Sequence, residues 1–322
     1  MERFDVVALG ELLIDFTQNG LSEQGNLLFE ANPGGAPANV LAMLRKLGKR
    51  CAFLGKVGAD GFGDLLARTV ADAGVDISGL RRDSAVHTTL AVVQTLPGGD
   101  RDFSFYRKPG ADMMLRADEL DEDALRTCRI FHFGSLSLTD EPCRSATHRA
   151  LELAKAAGAI ISYDPNLRPP LWDSEEQARE QIEWGLARCD VAKIADNELL
   201  FLTGHEDFDE GAAILRERFA NIKLLDVTAG AHGSIAYYGD KRAYEPGCTR
   251  GGVIETTGAG DTFCACVLNY VLENGLDELS EAQLHQMLRF ANHAAYLVTT
   301  KKGAIRSMPE RETVEALLAE LA

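Results

Sequence analysis

The 322-residue chain is short of basic residues: 33 Lys and Arg stand against 49 Asp and Glu, a formal net charge of −16. Without a basic field to attract phosphates, nucleic acid and anionic membrane are excluded as partners. No apolar run is long enough to span a bilayer, and the amino terminus has no basic segment leading into a signal-like apolar stretch. Among the seven cysteines no C-x-x-C occurs, and only Cys264 and Cys266 lie close together. The odd count and the lack of metal-ligand spacing predict reduced thiols in a cytoplasmic protein. Nucleotide and metal motifs are missing too. Gly55-Lys56 lacks the upstream glycine of a P-loop, Phe263 stands where a third dinucleotide-binding glycine would follow Gly258 and Gly260, and no H-E-x-x-H occurs. His132, inside an apolar strand, reads as a core residue rather than a zinc ligand.

A composition of 46% hydrophobic and 25% charged residues is that of a globular protein with a sizeable core. One stretch organises the rest: Glu255-Thr256-Thr257-Gly258-Ala259-Gly260-Asp261-Thr262-Phe263, followed by an apolar helical run to Leu272. Small residues at a helix start let a ligand approach backbone N–H groups that carry partial positive charge. Asp261 there can reach the same reacting centre as a base. That is the outline of a phosphoryl-transfer site.

Phe4 to Leu9 reads as a buried first strand ending at Gly10, with Glu11 and Asp15 at its carboxyl end. Ligands of open α/β sheets bind outside such ends, which makes Asp15 a candidate, with a turn aspartate as the plain alternative. Residues 17–31 are polar, with a brief extension at 27–30. Asn32-Pro33-Gly34-Gly35-Ala36-Pro37-Ala38-Asn39 then opens a helix reaching about Gly48. Its Gly-Gly pair is either a turn or a place where a ligand meets the backbone, with Asn39 one turn in. Thr88–Leu96 and Arg101–Tyr106 flank Pro97-Gly98-Gly99-Asp100 as a hairpin would, and with residues 27–31 they suggest a small projecting sheet, a lid that excludes water. From residue 117 helices and strands alternate: helices over 117–127, 142–157, 175–188 and 210–219, and strands over 130–133, 159–163, 190–194 and 222–227. Helices over 258–274, 281–299 and 309–321 close the chain. Such alternation predicts a mostly parallel sheet in one α/β domain over residues 1–322, with the lid built from segments near 12–31 and 88–108.

Gly34-Gly35-Ala36-Pro37-Ala38-Asn39 and Thr257-Gly258-Ala259-Gly260-Asp261-Thr262-Phe263, in this order and about two hundred residues apart, resemble the two motifs of the ribokinase/PfkB family of carbohydrate kinases. Gly10-Glu11 with Asp15, Thr203-Gly204 and Gly303-Ala304 extend the resemblance along the chain. Residues 32–39, 101–107 and 163–168 most resemble bacterial fructokinases. The resemblance implies a ribokinase-like three-layer α/β/α fold with a small β-sheet lid, and transfer of phosphate from ATP to a primary sugar hydroxyl. Asp261 is then the general base and the N–H groups of Gly258, Ala259 and Gly260 the anion hole. Arg168 becomes a phosphate contact, and Asp15, Gly34, Gly35, Asn39, Arg107 and Asn166 become sugar contacts, with Arg107 reaching in as the lid closes. On the nucleotide side the same resemblance points to Lys193, Glu198, Thr228, Gly230, Gly233 and Asn292, with Mg²⁺ near the first two; Ala195 stands where the family usually has Asn. A monovalent cation, K⁺, would be held around Glu255, Thr257, Val298, Lys301, Gly303 and Ser307, several through carbonyls, with Glu255 replacing the usual Asp. Fructose is the expected acceptor; ribose, 2-keto-3-deoxygluconate and aminoimidazole riboside are the alternatives, and a catalytically silent sensor is the non-enzyme reading. Leu90, Val92, Phe103 and Phe105 read as an apolar stripe, either the face through which lids would pair into a homodimer or a cover over the bound sugar.

Overall fold

The computed structural model describes residues 4–95 and 101–321. β1 (Val6–Leu9) leads into β2 (Leu13–Leu21) and β3 (Leu27–Gly34), followed by α1 (Ala36–Lys46), β4 (Cys51–Gly58), α2 (Gly61–Asp72) and β5 (Leu80–Asp83). β6 (Leu90–Thr95) and β7 (Arg101–Tyr106) pair antiparallel; the expected turn at 97–100 lies outside the described residues. Alternation follows with α3 (Glu122–Thr127), β8 (Ile130–Gly134), α4 (Cys143–Ala156), β9 (Ile160–Asp164), α5 (Glu175–Leu186), β10 (Val191–Ala195), α6 (Asp196–Thr203), α7 (Phe208–Arg218) and β11 (Leu224–Thr228). The edge strands β12 (Ser234–Tyr238) and β13 (Lys241–Glu245) precede α8 (Ala259–Asn274), α9 (Glu281–Thr299) and α10 (Arg311–Glu320).

The main sheet has nine strands in the order β13-β12-β11-β10-β9-β8-β1-β4-β5, parallel except where β12 and β13 join. β1 is apolar and fully buried, as a strand covered on both faces must be. One core lies between the sheet and α1, α2, α8, α9 and α10; the other packs α3 to α7 on the opposite face. The chain leaves β1 toward β4 on one side and later fills the other side from β8 to β11. The reversal beside β1 opens a crevice at the carboxyl ends of the strands, which is where ligands bind in such sheets.

A second sheet of four strands, in the order β3-β2-β6-β7, rises from those carboxyl ends. β2 pairs antiparallel with β3 and parallel with β6. Residues 17–31 are therefore more regular than their polarity predicts: β2 runs on to Leu21 because main-chain pairing, not burial, holds its exposed end. The expected apolar stripe divides between two faces, since Leu90 and Val92 lie opposite Tyr106 and Ser104 while Phe105 lies opposite Ala91. The helix expected over 117–127 is a 3₁₀ turn at 117–119 followed by α3, whose first turn is capped by Asp121 accepting from the Ala124 N–H. β5 and α6 have no counterpart in the sequence reading. The first is a short edge strand, Leu-Arg-Arg-Asp, and the second buries only Glu198, Leu199 and Leu202.

Candidate active site

α8 starts at Gly258, whose φ of 81° is the left-handed region that L side chains rarely adopt. A Cβ there would also lie 2.8 Å from the Ala304 Cβ. Both constraints call for glycine. The first-turn N–H groups of a helix have no partner within it, and those of Ala259, Gly260 and Asp261 are in that position. Ala259 N–H donates to the Thr256 carbonyl at 3.2 Å. Asp261, in the same turn, is 8% exposed.

The Asp261 carboxylate accepts a hydrogen bond from Asn39 Nδ2 at 2.7 Å, across a sequence separation of more than two hundred residues. Burial, and then the nearby Asp164 charge, push the Asp261 pKa up to about 6; the Asn39 bond and Lys193 pull it back. Asn39 Oδ1 is buried and has no hydrogen-bond partner among the described residues, which leaves it able to accept from a ligand. Asn39 is held in place by α1, whose first N–H, that of Ala36, donates to the buried Glu11 carboxylate at 2.8 Å. Gly35, just before the helix, has φ 135° and runs so close to the segment between β1 and β2 that a Cβ would fall 2.3 Å from the Glu11 carbonyl.

These groups face a cavity of about 250 Å³. Glu11, Leu13, Asp15 and Thr17 supply one wall, Val93 and Phe105 the side under the small sheet, and Leu136, Asn166, Arg168 and Lys193 the ends of β8, β9 and β10. Asp15 is raised to about 7, first by burial and then by the Glu255 and Asp261 charges, with Arg168 opposing. Gly34 is needed behind it, because a Cβ there would sit 2.9 Å from Asp15 Oδ2. Asn166 is the one non-glycine residue with positive φ among those described, at 47°, and its N–H donates to Asp164 Oδ1. Such strain beside a cavity marks a position held for function. Among the described residues the Arg168 guanidinium bonds only the Asn166 and Leu167 carbonyls, through one nitrogen, and so keeps most of its donors for a ligand.

A second cavity of about 300 Å³ adjoins the first and shares Thr256 and Gly260 with it. Its lining includes Thr228, Gly230, Gly233, Phe263, Asn292 and Tyr296, largely apolar walls between the β11–β12 loop and α8 and α9. Lys193 lines the first cavity close beneath Gly260, 3.3 Å from Asp164. Burial alone would lower its pKa, but Asp164 and Glu198 hold it above the usual lysine range. Glu198 is fixed by two main-chain donors, Leu167 N–H at 2.7 Å and Ala195 N–H at 2.8 Å.

Several expected contacts occupy other positions. Arg107 does not reach into the first cavity. Its guanidinium is buried against Asp112, Thr139 and the Leu136 carbonyl, because a buried charge needs partners on every donor. Asn292 borders the second cavity with its amide spent: Oδ1 accepts from Ser234 and Nδ2 donates to the Glu245 carbonyl. Glu255 accepts from Thr257 Oγ1 at 2.6 Å and from Gly303 N–H at 3.0 Å, while Ser307 donates to the Lys302 carbonyl, Lys301 is exposed and Val298 is buried in α9. Glu11, Val93, Leu136 and Asp164 also belong to the site. Of these, Glu11 carried a signal, its place directly after the first strand, and Asp164 followed the end of another. A larger cavity, about 930 Å³ among α8, α9 and α10, lies away from these residues, and its arginines are paired with Glu273 and Glu245.

A mostly parallel sheet faced by helices, with a small second sheet over two cavities that meet at a helix start, is the ribokinase-like kinase architecture. An ATP-bound fructokinase from Xylella fastidiosa matches it with a TM-score of 0.88 at 32% identity, over 98% of this chain and 99% of that one. A fructokinase double mutant from Vibrio cholerae O395, described with fructose, ADP and a potassium ion, gives 0.86 at 30% identity over 99% of both chains. In sequence, "Probable fructokinase-4" of Arabidopsis thaliana is 44% identical over 98% of this chain and 97% of its own length. Residues 3–311 match the pfkB family carbohydrate kinases. The chain belongs to that family.

Proposed function

We propose that the protein transfers the γ-phosphate of ATP to the C6 hydroxyl of D-fructose, giving fructose 6-phosphate and ADP. The observation that carries this is the meeting of two cavities at one helix start, with Asp261 on the side of the first. The sugar lies in the first cavity, where Asn39 Oδ1 and Asp15 accept from its hydroxyls. Glu11, Asp15, Glu255 and Asp261 line that cavity against two cations, Arg168 and Lys193, of which Lys193 is already paired. Such a wall suits a neutral sugar and disfavours a sugar acid.

Asp261 is ionised at neutral pH, and Asn39 turns one of its oxygens away, leaving the other for the attacking hydroxyl. As the hydroxyl oxygen bonds to the γ-phosphorus, its proton passes to Asp261 and the bond to the ADP oxygen breaks. The N–H groups of Gly258, Ala259 and Gly260 at the start of α8 and the Arg168 guanidinium meet the charge that develops on the transferring group. Asp164 and Glu198 are carboxylates of the kind that hold a hydrated Mg²⁺ carried by the nucleotide, which would neutralise phosphate charge. A monovalent cation would rest on main-chain carbonyls near Thr257, Val298, Lys301 and Gly303, beside the Glu255 carboxylate, whose oxygens accept from Thr257 Oγ1 and Gly303 N–H.

The small sheet acts as the lid, bringing Val93 and Phe105 down on the sugar. Its exposed Leu21, Leu27, Leu28 and Tyr106 offer the surface for a homodimer, checked by mass in solution. The cytoplasm is the expected compartment, in keeping with a cysteine spacing that predicts reduced thiols. A panel of fructose, ribose, 2-keto-3-deoxygluconate and aminoimidazole riboside with ATP tests the assignment. Fructose should give the highest kcat/KM, and no turnover of fructose sinks it.

A further inference from the structure

The two strands over the sugar cavity are held at their roots by one buried carboxylate. β6 begins one residue after Thr89, and β7 ends one residue before Arg107. Thr89 donates its hydroxyl to Asp112 Oδ1, and Arg107 Nε donates to Asp112 Oδ2 at 2.8 Å. The other guanidinium nitrogens are spent on the body of the protein, on Thr139 Oγ1 at 3.0 Å and on the Leu136 carbonyl at 2.8 Å. The side chains of Arg107 and Asp112 are each 2% exposed. Gly110 admits the arrangement, since a Cβ there would lie 1.8 Å from Thr89 Oγ1.

For stability alone this is a poor design, because an apolar group of similar volume serves as well as a buried ion pair. What directional, fully satisfied bonds supply is position. The clasp joins the two roots of the β6–β7 arm, and through Leu136, whose side chain lines the same cavity, it joins them to the cavity wall. We propose that Asp112 is the hinge pin of this arm: a positioning residue that sets the height of Val93 and Phe105 over the sugar through Thr89 and Arg107, without touching substrate. It rests on the sugar-kinase reading above.

The test compares wild type, Asp112→Asn and Thr89→Val. Calorimetry measures fructose alone and a non-hydrolysable ATP analogue alone, and steady-state kinetics and thermal melting complete the set. Asp112→Asn should weaken fructose binding and raise its KM about tenfold or more, the loss expected for a charged hydrogen bond. Nucleotide affinity should stay within about twofold, and kcat should fall by less than KM rises. Thr89→Val should give the same pattern at about three- to fivefold, as for a neutral donor. A purely structural clasp would lower Tm in both variants and leave fructose affinity alone, and that result overturns the proposal. Should Asp112→Asn fail to fold, Thr89→Val decides, and an unchanged fructose affinity there refutes the pin. Wild type that binds the nucleotide analogue but no fructose would refute the sugar assignment itself, and the pin with it.

Discussion

Replacing Asp261 by Asn tests the base and its electrostatic setting together. The amide keeps the shape and can still accept from Asn39 Nδ2, so the start of α8 and the sugar cavity should keep their form. It cannot take a proton from the sugar. Loss of a positioned base costs about 10²–10⁴-fold in kcat. Fructose affinity, measured by calorimetry, should change little. The same substitution should stabilise the protein. Asp261 has its pKa raised from 3.8 to about 6, mainly by burial, so its ionised form is a burden on the fold. A rise of roughly 2 units corresponds to about 3 kcal/mol. The sign follows from proton uptake: the folded state holds this proton more tightly, so stability is fully present below pH 3.8 and is lost as pH rises through 6. Asp261→Asn should therefore raise the denaturation midpoint at pH 8 and barely move it near pH 4. Residual kcat within about tenfold of wild type would refute the base assignment, being far less than the expected loss. An equal midpoint at pH 8 would refute the account of its pKa.

Three further outcomes are expected. The acid limb of kcat/KM should fall between pH 6 and 7, where Asp261 and Asp15 take up protons, and Asp164→Asn should move it down by removing the charge that raises Asp261; a limb near pH 4 in wild type would contradict both pKa values. Gly258→Ala places a side chain at φ 81° and against Ala304, so a left-handed penalty of about 1–2 kcal/mol falls on the helix start. In that variant kcat should drop more than fructose affinity. Both carboxyl oxygens of Asp226, buried in β11, have no partner among the described residues, and burial holds its pKa well above the usual range. Asp226→Val should raise stability by about 1–3 kcal/mol, with a larger gain in alkaline solution, where the carboxyl must ionise; unchanged urea midpoints at pH 7 and 9 would argue against it.

The sequence was most legible where chemistry is local to the chain. Gly258-Ala259-Gly260-Asp261 reads as a helix start with a base because glycines and an aspartate in that order leave few other uses. The alternation after residue 117 reads as a parallel sheet because each strand is a short, mostly apolar run set between helices. Arg107 was misread for a general reason. A lone arginine at a strand end looks like a free cation in sequence, and only the fold reveals Asp112, Thr139 and the Leu136 carbonyl around it. Asn292 illustrates the same limit, since its partners Ser234 and Glu245 are more than forty residues away. The small sheet's apolar stripe failed on register: period two assigns faces within a strand, but the pairing of Leu90 with Tyr106 decides which faces coincide. Asp226 gave no signal, because nothing in a sequence tells an unpartnered buried carboxyl from a paired one.

The distribution of charge explains how an acidic cavity can serve phosphate transfer. Glu11, Asp15, Glu255 and Asp261 crowd the sugar end, and burial together with the nearby Asp164 charge raises Asp261 toward the range where it is a competent base. The same negative field would repel a γ-phosphate if it reached the helix start unopposed. Lys193 opposes it there, so close beneath the turn that a Cβ on Gly260 would lie 3.2 Å from its ammonium nitrogen. Asp164 and Glu198 keep that ammonium charged, and Glu198 is anchored by the Leu167 and Ala195 amides rather than by a flexible partner. Negative charge thus gathers where the hydroxyl gives up its proton, and positive charge where the phosphoryl group arrives. Glu255 extends the pattern structurally. Its reach to Gly303 N–H draws the loop carrying Ala304 against Gly258, the residue on which the first turn of α8 depends. An aspartate, one methylene shorter, would have to give up that bond or pull the loop inward, so the glutamate belongs to the geometry of the anion site whatever ion the loop accepts.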